Sequence, residues 1–195
     1  MGARELVAGR SCGECTVRCV TPSIDNAEIQ KVSRVRCLHS VGSACDIYET
    51  RPQVCRKFYC AWRMLPELGD AWRPDRSGVL ALYDDAHDAN ALTLTLIANP
   101  LVTVRHVWFQ DFVRSAVLRG TALYLALPGP PGFLPGRILL TGAPLMAAAQ
   151  RSAGRVKDVL QGALAFLKKH QHAPHVLNHS GNDVSTAADA ATPPS

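Results

Sequence analysis

The stretch VLALYDDAHDANALTLTLIANP, residues 79–100, decides the fold class. VLALY (79–83) is a short apolar run, which reads as a strand. In ALTLTLIA (91–98), Leu92, Leu94 and Leu96 alternate with Thr93 and Thr95, the period of a half-buried strand. DDAHDAN (84–90) is polar and turn-forming, so the two strands form a hairpin. Asn99 and Pro100 then punctuate a helix start. Asparagine caps the free amides, and proline at the first helical position has no N–H to waste.

Working outward toward the C-terminus, Leu101, Val104, Trp108 and Phe112 follow at helical spacing, and Gly120 after Arg119 is a stop. TALYLAL (121–127) reads as a third strand and RILLTG (137–142) as a fourth, joined by the stiff loop PGPPGFLPG. A last helix is expected from Pro144 to His170. Val156, Val159, Leu160, Ala163, Leu164 and Leu167 form its apolar stripe. The fold class is therefore α+β, with a compact hairpin–helix–strand–strand–helix domain over residues 77–170. Residues 171–195, rich in Ala, Ser, Thr, Asn and Pro, are expected to be a disordered tail. No internal repeat is visible.

Toward the N-terminus the character changes. PELGDAWRPDRSG (66–78) is rich in turn formers and charges and is expected to divide the chain. Before it lies a loop-rich module over residues 11–76, preceded by a short tail (1–10). All seven cysteines fall in its span: Cys12, Cys15, Cys19, Cys37, Cys45, Cys55 and Cys60, with spacing C-x2-C-x3-C-x17-C-x7-C-x9-C-x4-C. The 135 residues after Cys60 have none.

Composition narrows what those thiols do. With 47% hydrophobic residues the 195-residue chain can build a core, and its 19% charged content is that of a globular protein. The net charge is +5; residues 1–76 carry 12 basic and 9 acidic side chains, which leaves +3 there. That is too diffuse for a nucleic-acid footprint, so no nucleic-acid partner is expected. MGARELVAGRSCGEC contains no apolar run of signal-peptide length and lacks a myristoylation pattern, and no stretch reaches the ~18 apolar residues of a membrane span. The expectation is a cytoplasmic protein without membrane attachment, a protein partner being left open. Stable disulfides are rare in a reducing cytosol, and seven is an odd number for a disulfide framework. Metal ligation, redox chemistry and inert burial remain.

Metal ligation fits best. A short segment with few large apolar residues cannot bury enough surface to fold by itself. Structural zinc contributes an apparent ~10–16 kcal/mol in small domains. Arg51, Arg56 and Lys57 lie beside Cys55 in sequence and favour thiolate over thiol. Four-sulfur sites suit either Zn²⁺ or an Fe–S cluster, and six of the seven thiols could also hold two zinc ions. A single C-x2-C knuckle argues against a plain zinc ribbon, and the bacterial ferredoxin run is absent. Loop-closure entropy favours the close pairs Cys12/Cys15 and Cys55/Cys60 as one ligand set.

The segment CDIYETRPQVCRKFYCAW (45–62), with the upstream CGEC, also resembles the YkgJ-like cysteine-cluster family. That family is described as a zinc- or iron-chelating domain with a CxxCxxCC signature. The matching residues are Cys12, Cys15, Cys19, Cys37, Cys45, Ile47, Tyr48, Glu49, Arg51, Pro52, Cys55, Arg56, Phe58, Cys60 and Trp62. The resemblance covers residues 11–76 and implies metal binding by the cysteines. It departs at one point: the opening here is CGECTVRC, with Arg18 where the signature has its third cysteine. Guanidinium is no ligand, so another group completes the shell (His39 is near in sequence) or that cysteine is not a ligand. Some proteins resembling the family are flagellin lysine-N-methylases, and others are labelled Fe–S oxidoreductases. An enzyme of either type is the alternative to a plain metal-binding module. Against a methylase, no glycine-rich strand–turn–helix is present and residues 77–170 are few for a cofactor pocket.

Weaker signals have plainer readings. Cys12-Gly13-Glu14-Cys15 has the form of a redox dithiol but lacks a preceding strand. Tyr48, Glu49, Arg51 and Pro52 read as structural, with Glu49 expected to pair with an arginine. Asp84, Asp85, His87 and Asp88 read as a solvated turn rather than a cation loop. His170, His172, His175 and His179 read as a solvated tail, and Trp108 and Phe112 as core.

Overall fold

A computed structural model of the chain describes residues 5–84, 88–140, 142–169, 172 and 174. Asp85 and His87 of the expected solvated turn, and most of the tail including His170, His175 and His179, lie outside the described residues.

In the N-terminal part the regular elements are short. They are helix α1 (Val17–Val20), strands β1 (Ile24–Asp25) and β2 (Gln30–Lys31), strands β3 (Ser40–Val41) and β4 (Ala44–Cys45), and helix α2 (Gln53–Lys57). β1 pairs with β2 and β3 with β4, both antiparallel and each with two residue pairs. Pro52 is the cap residue of α2, and the Glu28 carboxylate accepts from the Gln53 amide at 3.0 Å, where a helix start favours negative charge. Among the described residues no hydrophobic side chain before Cys60 is buried. This part of the chain has no apolar core of its own.

After Cys60 the packing changes. A four-stranded sheet runs in the order β5 (Val79–Asp84), β6 (Asp88–Leu96), β7 (Leu123–Leu127), β8 (Gly136–Leu139). β5–β6 and β7–β8 are antiparallel, whereas β6–β7 is parallel. Parallel neighbours need a crossover, and helices α4 (Pro100–Thr103) and α5 (Val107–Leu118) supply it.

The pleat sorts side chains between two faces. Register places Val79 and Ala81 with Leu96, Leu94, Leu125 and Leu127 on one face. Helices α6 (Ala143–Arg151) and α7 (Ala153–Lys169) join α5 over this core; a side chain on Gly136 of that face would meet Leu167 of α7. Each fully buried leucine contributes ~1.5–3 kcal/mol. The opposite face carries Leu80, Thr95 and Ala126, all buried. Leu80 lines one small cleft together with Cys12, Cys15, Val17, Phe58 and Cys60, so the cysteine-bearing segment borders this face.

Two expected single helices are broken. The first stops at Val104 and restarts at Val107, with the buried Gln110 side chain donating to the stranded Val104 carbonyl at 3.0 Å. The second breaks at Ser152, whose extended backbone interrupts the ladder and whose Oγ accepts from the Arg155 amide at 3.3 Å, as a cap does. The expected apolar stripe holds, with Val156, Leu160, Leu164 and Leu167 buried. Asn99 caps α4 as expected, accepting from Val102.

The expected divide at residues 66–78 is a packed segment. Ala61, Trp62, Leu68 and Trp72 belong to one core with the sheet. The Trp72 ring meets Trp108, Phe109 and Phe112 at 4.8, 5.7 and 4.6 Å between centroids. Turn-forming composition hid the tryptophan anchor Trp72. Among the described residues no helix is long and apolar enough to cross a membrane.

Candidate metal centres

Backbone bonds bring four thiols together from four local elements. Cys19 sits on α1, and its carbonyl accepts from the Cys37 amide at 2.8 Å. The Cys37 carbonyl accepts from Ser40 at 3.0 Å, and Ser40 is the register partner of Cys45 across β3–β4. Cys55 rides on α2, which Arg18 ties to α1 by donating from Nη1 to the Cys55 carbonyl at 2.8 Å. Cys19, Cys37, Cys45 and Cys55 therefore line one cavity of about 80 Å³.

Cations border that cavity. Arg18 and Arg51 line it. Arg51 stacks on the Tyr48 ring at 3.9 Å, and its Nε and Nη1 are buried with no hydrogen-bond partner among the described residues. Leaving a buried donor unpaired is costly, and the Tyr48 side chain is the neighbour that most favours the Arg51 cation. Lys31, buried on β2, donates to the carbonyls of Val20, Val32 and Val35 at 2.8, 3.2 and 2.9 Å. Burial lowers its pKa to about 8, and Cys37 and Cys19 nearby oppose that shift. The Cys55 thiol is pushed up by burial and by its neighbours Cys37, Cys19 and Cys45, against the pull of Arg18. Four thiols in one apolar cavity cannot all ionise without a cation to hold them.

The other three thiols stand apart. Cys12, Cys15 and Cys60 line a second, smaller cleft with Val17, Pro74 and Leu80. Cys12 and Cys15 are joined by a turn in which the Cys15 amide donates to the Cys12 carbonyl at 3.0 Å. Burial raises the Cys15 and Cys60 thiols, and backbone N–H groups aimed at their sulfurs oppose it. Arg18 and Phe58 border both the cavity and the cleft. The set that loop entropy favours, Cys12, Cys15, Cys55 and Cys60, is thus divided: Cys55 lines the cavity with Cys19, Cys37 and Cys45, and the other three line the cleft. Four residues between Cys55 and Cys60 suffice to turn the chain from one group to the other.

The remaining candidates fall into place around these groups. His39 lines the larger cavity, and its Nδ1 lies 3.1 Å from Asp46 Oδ1. Arg56 reaches the backbone carbonyls of Arg51 and Glu49, at 2.8 and 2.7 Å, and so braces the loop ahead of α2. His172 is 3.2 Å from the Leu134 carbonyl, away from the cysteines in this contact. The structure adds Lys31, Arg63, Arg73 and Asp75 to the neighbourhood. None carries a motif: a lysine in a short polar-looking strand gives no sign that it is buried.

Among the described residues no three His, Cys, Asp or Glu side chains are already gathered at the spacing of one bound ion. The donor set nonetheless fits a thiophilic group: four thiols around a volume, with cationic and orphaned N–H donors at its wall. Comparison with family models, curated proteins and solved structures found no match to this chain. The likeness to the YkgJ-like family accordingly rests on the motif residues alone.

Proposed function

We propose that the chain is a cytoplasmic metal-binding protein whose main centre, an Fe–S cluster or zinc, is held by the thiolates of Cys19, Cys37, Cys45 and Cys55. The observation that carries this is their convergence on one cavity inside a segment in which, among the described residues, no apolar side chain before Cys60 is buried. Such a segment needs a staple, and ligand bonds are the staple its side chains can form. Seven thiols kept for ligation require a reducing compartment.

We favour a cluster over a single ion. Zinc draws its sulfurs to ~2.3 Å from one point. In a cubane each thiolate binds a different iron, so the sulfurs stand around a volume, and these four cysteines line one cavity without being gathered at the spacing of one bound ion. The bare N–H groups of Arg51 suit donation to cluster or cysteine sulfur, a known influence on potential.

Anaerobic purification of the full chain followed by iron, sulfide and zinc analysis tests the proposal. A broad visible band that dithionite bleaches, lost in Cys37→Ser and Cys55→Ser, is expected. Stoichiometric zinc without colour selects the zinc form. A chain that retains neither metal, although expressed with ample iron and zinc, overturns metal binding.

A further inference from the structure

Cys12 and Cys15 lie outside the four-thiol cavity, in a turn held by side chains brought from far along the chain. The Cys12 carbonyl accepts twice, from the Cys15 amide at 3.0 Å and from Arg73 Nη2 at 3.2 Å. Gly13, at φ +50°, supplies the left-handed step of this turn. Such a turn keeps its end Cα atoms within about 7 Å, and a disulfide spans Cα atoms up to ~6.8 Å apart. Both thiols are half-buried and line the same cleft. The Cys12 sulfur is held from another side, where Arg63 Nη1 donates to it at 3.7 Å. Arg63 Nε is buried with no hydrogen-bond partner among the described residues, so this guanidinium has a donor to spare beside the thiol. A fixed cationic donor stabilises negative charge that develops next to it during a reaction. The cleft measures about 20 Å³, and a single water needs roughly 10–15 Å³. It admits a molecule of peroxide size and excludes a peptide disulfide.

We propose that Cys12 and Cys15 form a peroxide-reactive dithiol, in which hydrogen peroxide oxidises Cys12 and Cys15 closes the disulfide. This goes beyond metal binding and does not depend on it. In the first step the Cys12 sulfur, as thiolate, attacks one peroxide oxygen and the O–O bond breaks. The electron pair leaves on the other oxygen, where Arg63 faces the developing charge; that oxygen takes up a proton and departs as water. Sulfur is oxidised to the sulfenic acid and peroxide is reduced. In the second step the Cys15 sulfur attacks the Cys12 sulfur, the S–O bond breaks, and the hydroxide leaves as water with the proton of Cys15. Two thiols and one peroxide thus give one disulfide and two waters. Cys60 also lines the cleft, but it is 9% exposed and opens the buried run Ala61–Trp62, with its carbonyl held by the Arg63 amide at 2.9 Å. It stays reduced while the mobile turn closes on itself. Disulfides that form in a reducing compartment are mostly transient and redox-sensing, and a dithiol reductant reverses this one by exchange.

The test exposes the full chain, purified anaerobically with the metal it carries, to one equivalent of hydrogen peroxide. The protein is then alkylated under denaturing conditions and digested with trypsin. Cys12 and Cys15 fall together in residues 11–18, and Cys60 falls in residues 58–63. Peptide 11–18 is expected to lose two hydrogens and to escape alkylation, at a rate roughly tenfold or more above that of free cysteine. Cys15→Ser should stop at the sulfenic acid, which dimedone traps on Cys12. Arg63→Gln should slow the first step roughly tenfold or more, and Arg63→Lys should recover most of that rate, with far-UV circular dichroism unchanged in both. The proposal is overturned if peptide 11–18 is oxidised no faster than free cysteine, or if the disulfide joins it to residues 58–63. It is equally overturned if the four-thiol centre loses its metal to peroxide while Cys12 is still reduced. Protein that holds no metal yet forms the Cys12–Cys15 disulfide would sink the proposed function and support this inference.

Discussion

Arg18 Nη1 donates to the Cys55 carbonyl at 2.8 Å, joining the first helix of the cysteine segment to the last. The same side chain borders both thiol groups. Arg18 is thus a brace between two thiol-bearing elements.

Removing that brace has a direct consequence. Arg18→Ala should cost about 1.5–3 kcal/mol of stability, the range for a hydrogen bond from a charged donor. It should also raise the thiol pKa of Cys55, since Arg18 is what pulls it down. Urea unfolding and the pH dependence of Cys55 alkylation in metal-free protein measure the two effects.

Gly78 ends helix α3 (Pro74–Ser77) with φ of +67°, and a Cβ there would collide with the Cβ of Ala98. Gly78→Ala therefore meets both backbone strain and a steric clash. A loss of ~1–3 kcal/mol is expected, read from thermal unfolding. Ala98→Gly in the same chain should recover part of the loss, because it relieves the clash and leaves the strain.

Trp72 sits among Trp108, Phe109 and Phe112. Trp72→Ala should destabilise the sheet core by roughly 3–5 kcal/mol. A fragment starting at Gly78 lacks Ala61, Trp62, Leu68 and Trp72 altogether and should fail to fold independently. Near-UV circular dichroism and amide dispersion in NMR spectra decide it; a well-dispersed spectrum from the fragment would show that the core closes without residues 61–72.

Lys31 gives a pH dependence with a defined sign. Its folded pKa is about 8 against an ordinary 10.5, because burial disfavours the ammonium. Between those values the folded state holds fewer protons than the unfolded state, so stability linked to Lys31 rises with pH. Metal-free wild type should gain up to about 3 kcal/mol relative to Lys31→Met as pH climbs through that window. The loss of three carbonyl partners in the variant is a pH-independent offset. Urea midpoints of both proteins on either side of pH 8 check the slope; parallel curves would rule the shift out.

Much of the sheet was legible because its signal is local. Leu92, Leu94 and Leu96 alternate with threonine whatever else the chain does, and Asn99–Pro100 caps a helix with its own atoms. The helix breaks at Val104–His106 and Ser152 were not legible, since Gln110 and a single serine reveal their capping roles only once folded. The segment 66–78 misled for a related reason: turn formers set local conformation, while Trp72 acts through distant aromatic partners.

The sequence by itself determined that the first third lacks apolar residues enough for a core and that its seven thiols are its chemical resource. It also determined the strands and the buried stripe of the last helix, through periodicity. Only the tertiary structure decided that the thiols divide as four and three, that Cys55 and Cys60 part company, and that residues 61–72 complete the sheet's core. Spacing along a chain limits which sulfurs can meet. Which ones do meet depends on how long-range packing orients each short turn, and a residue count carries no record of direction.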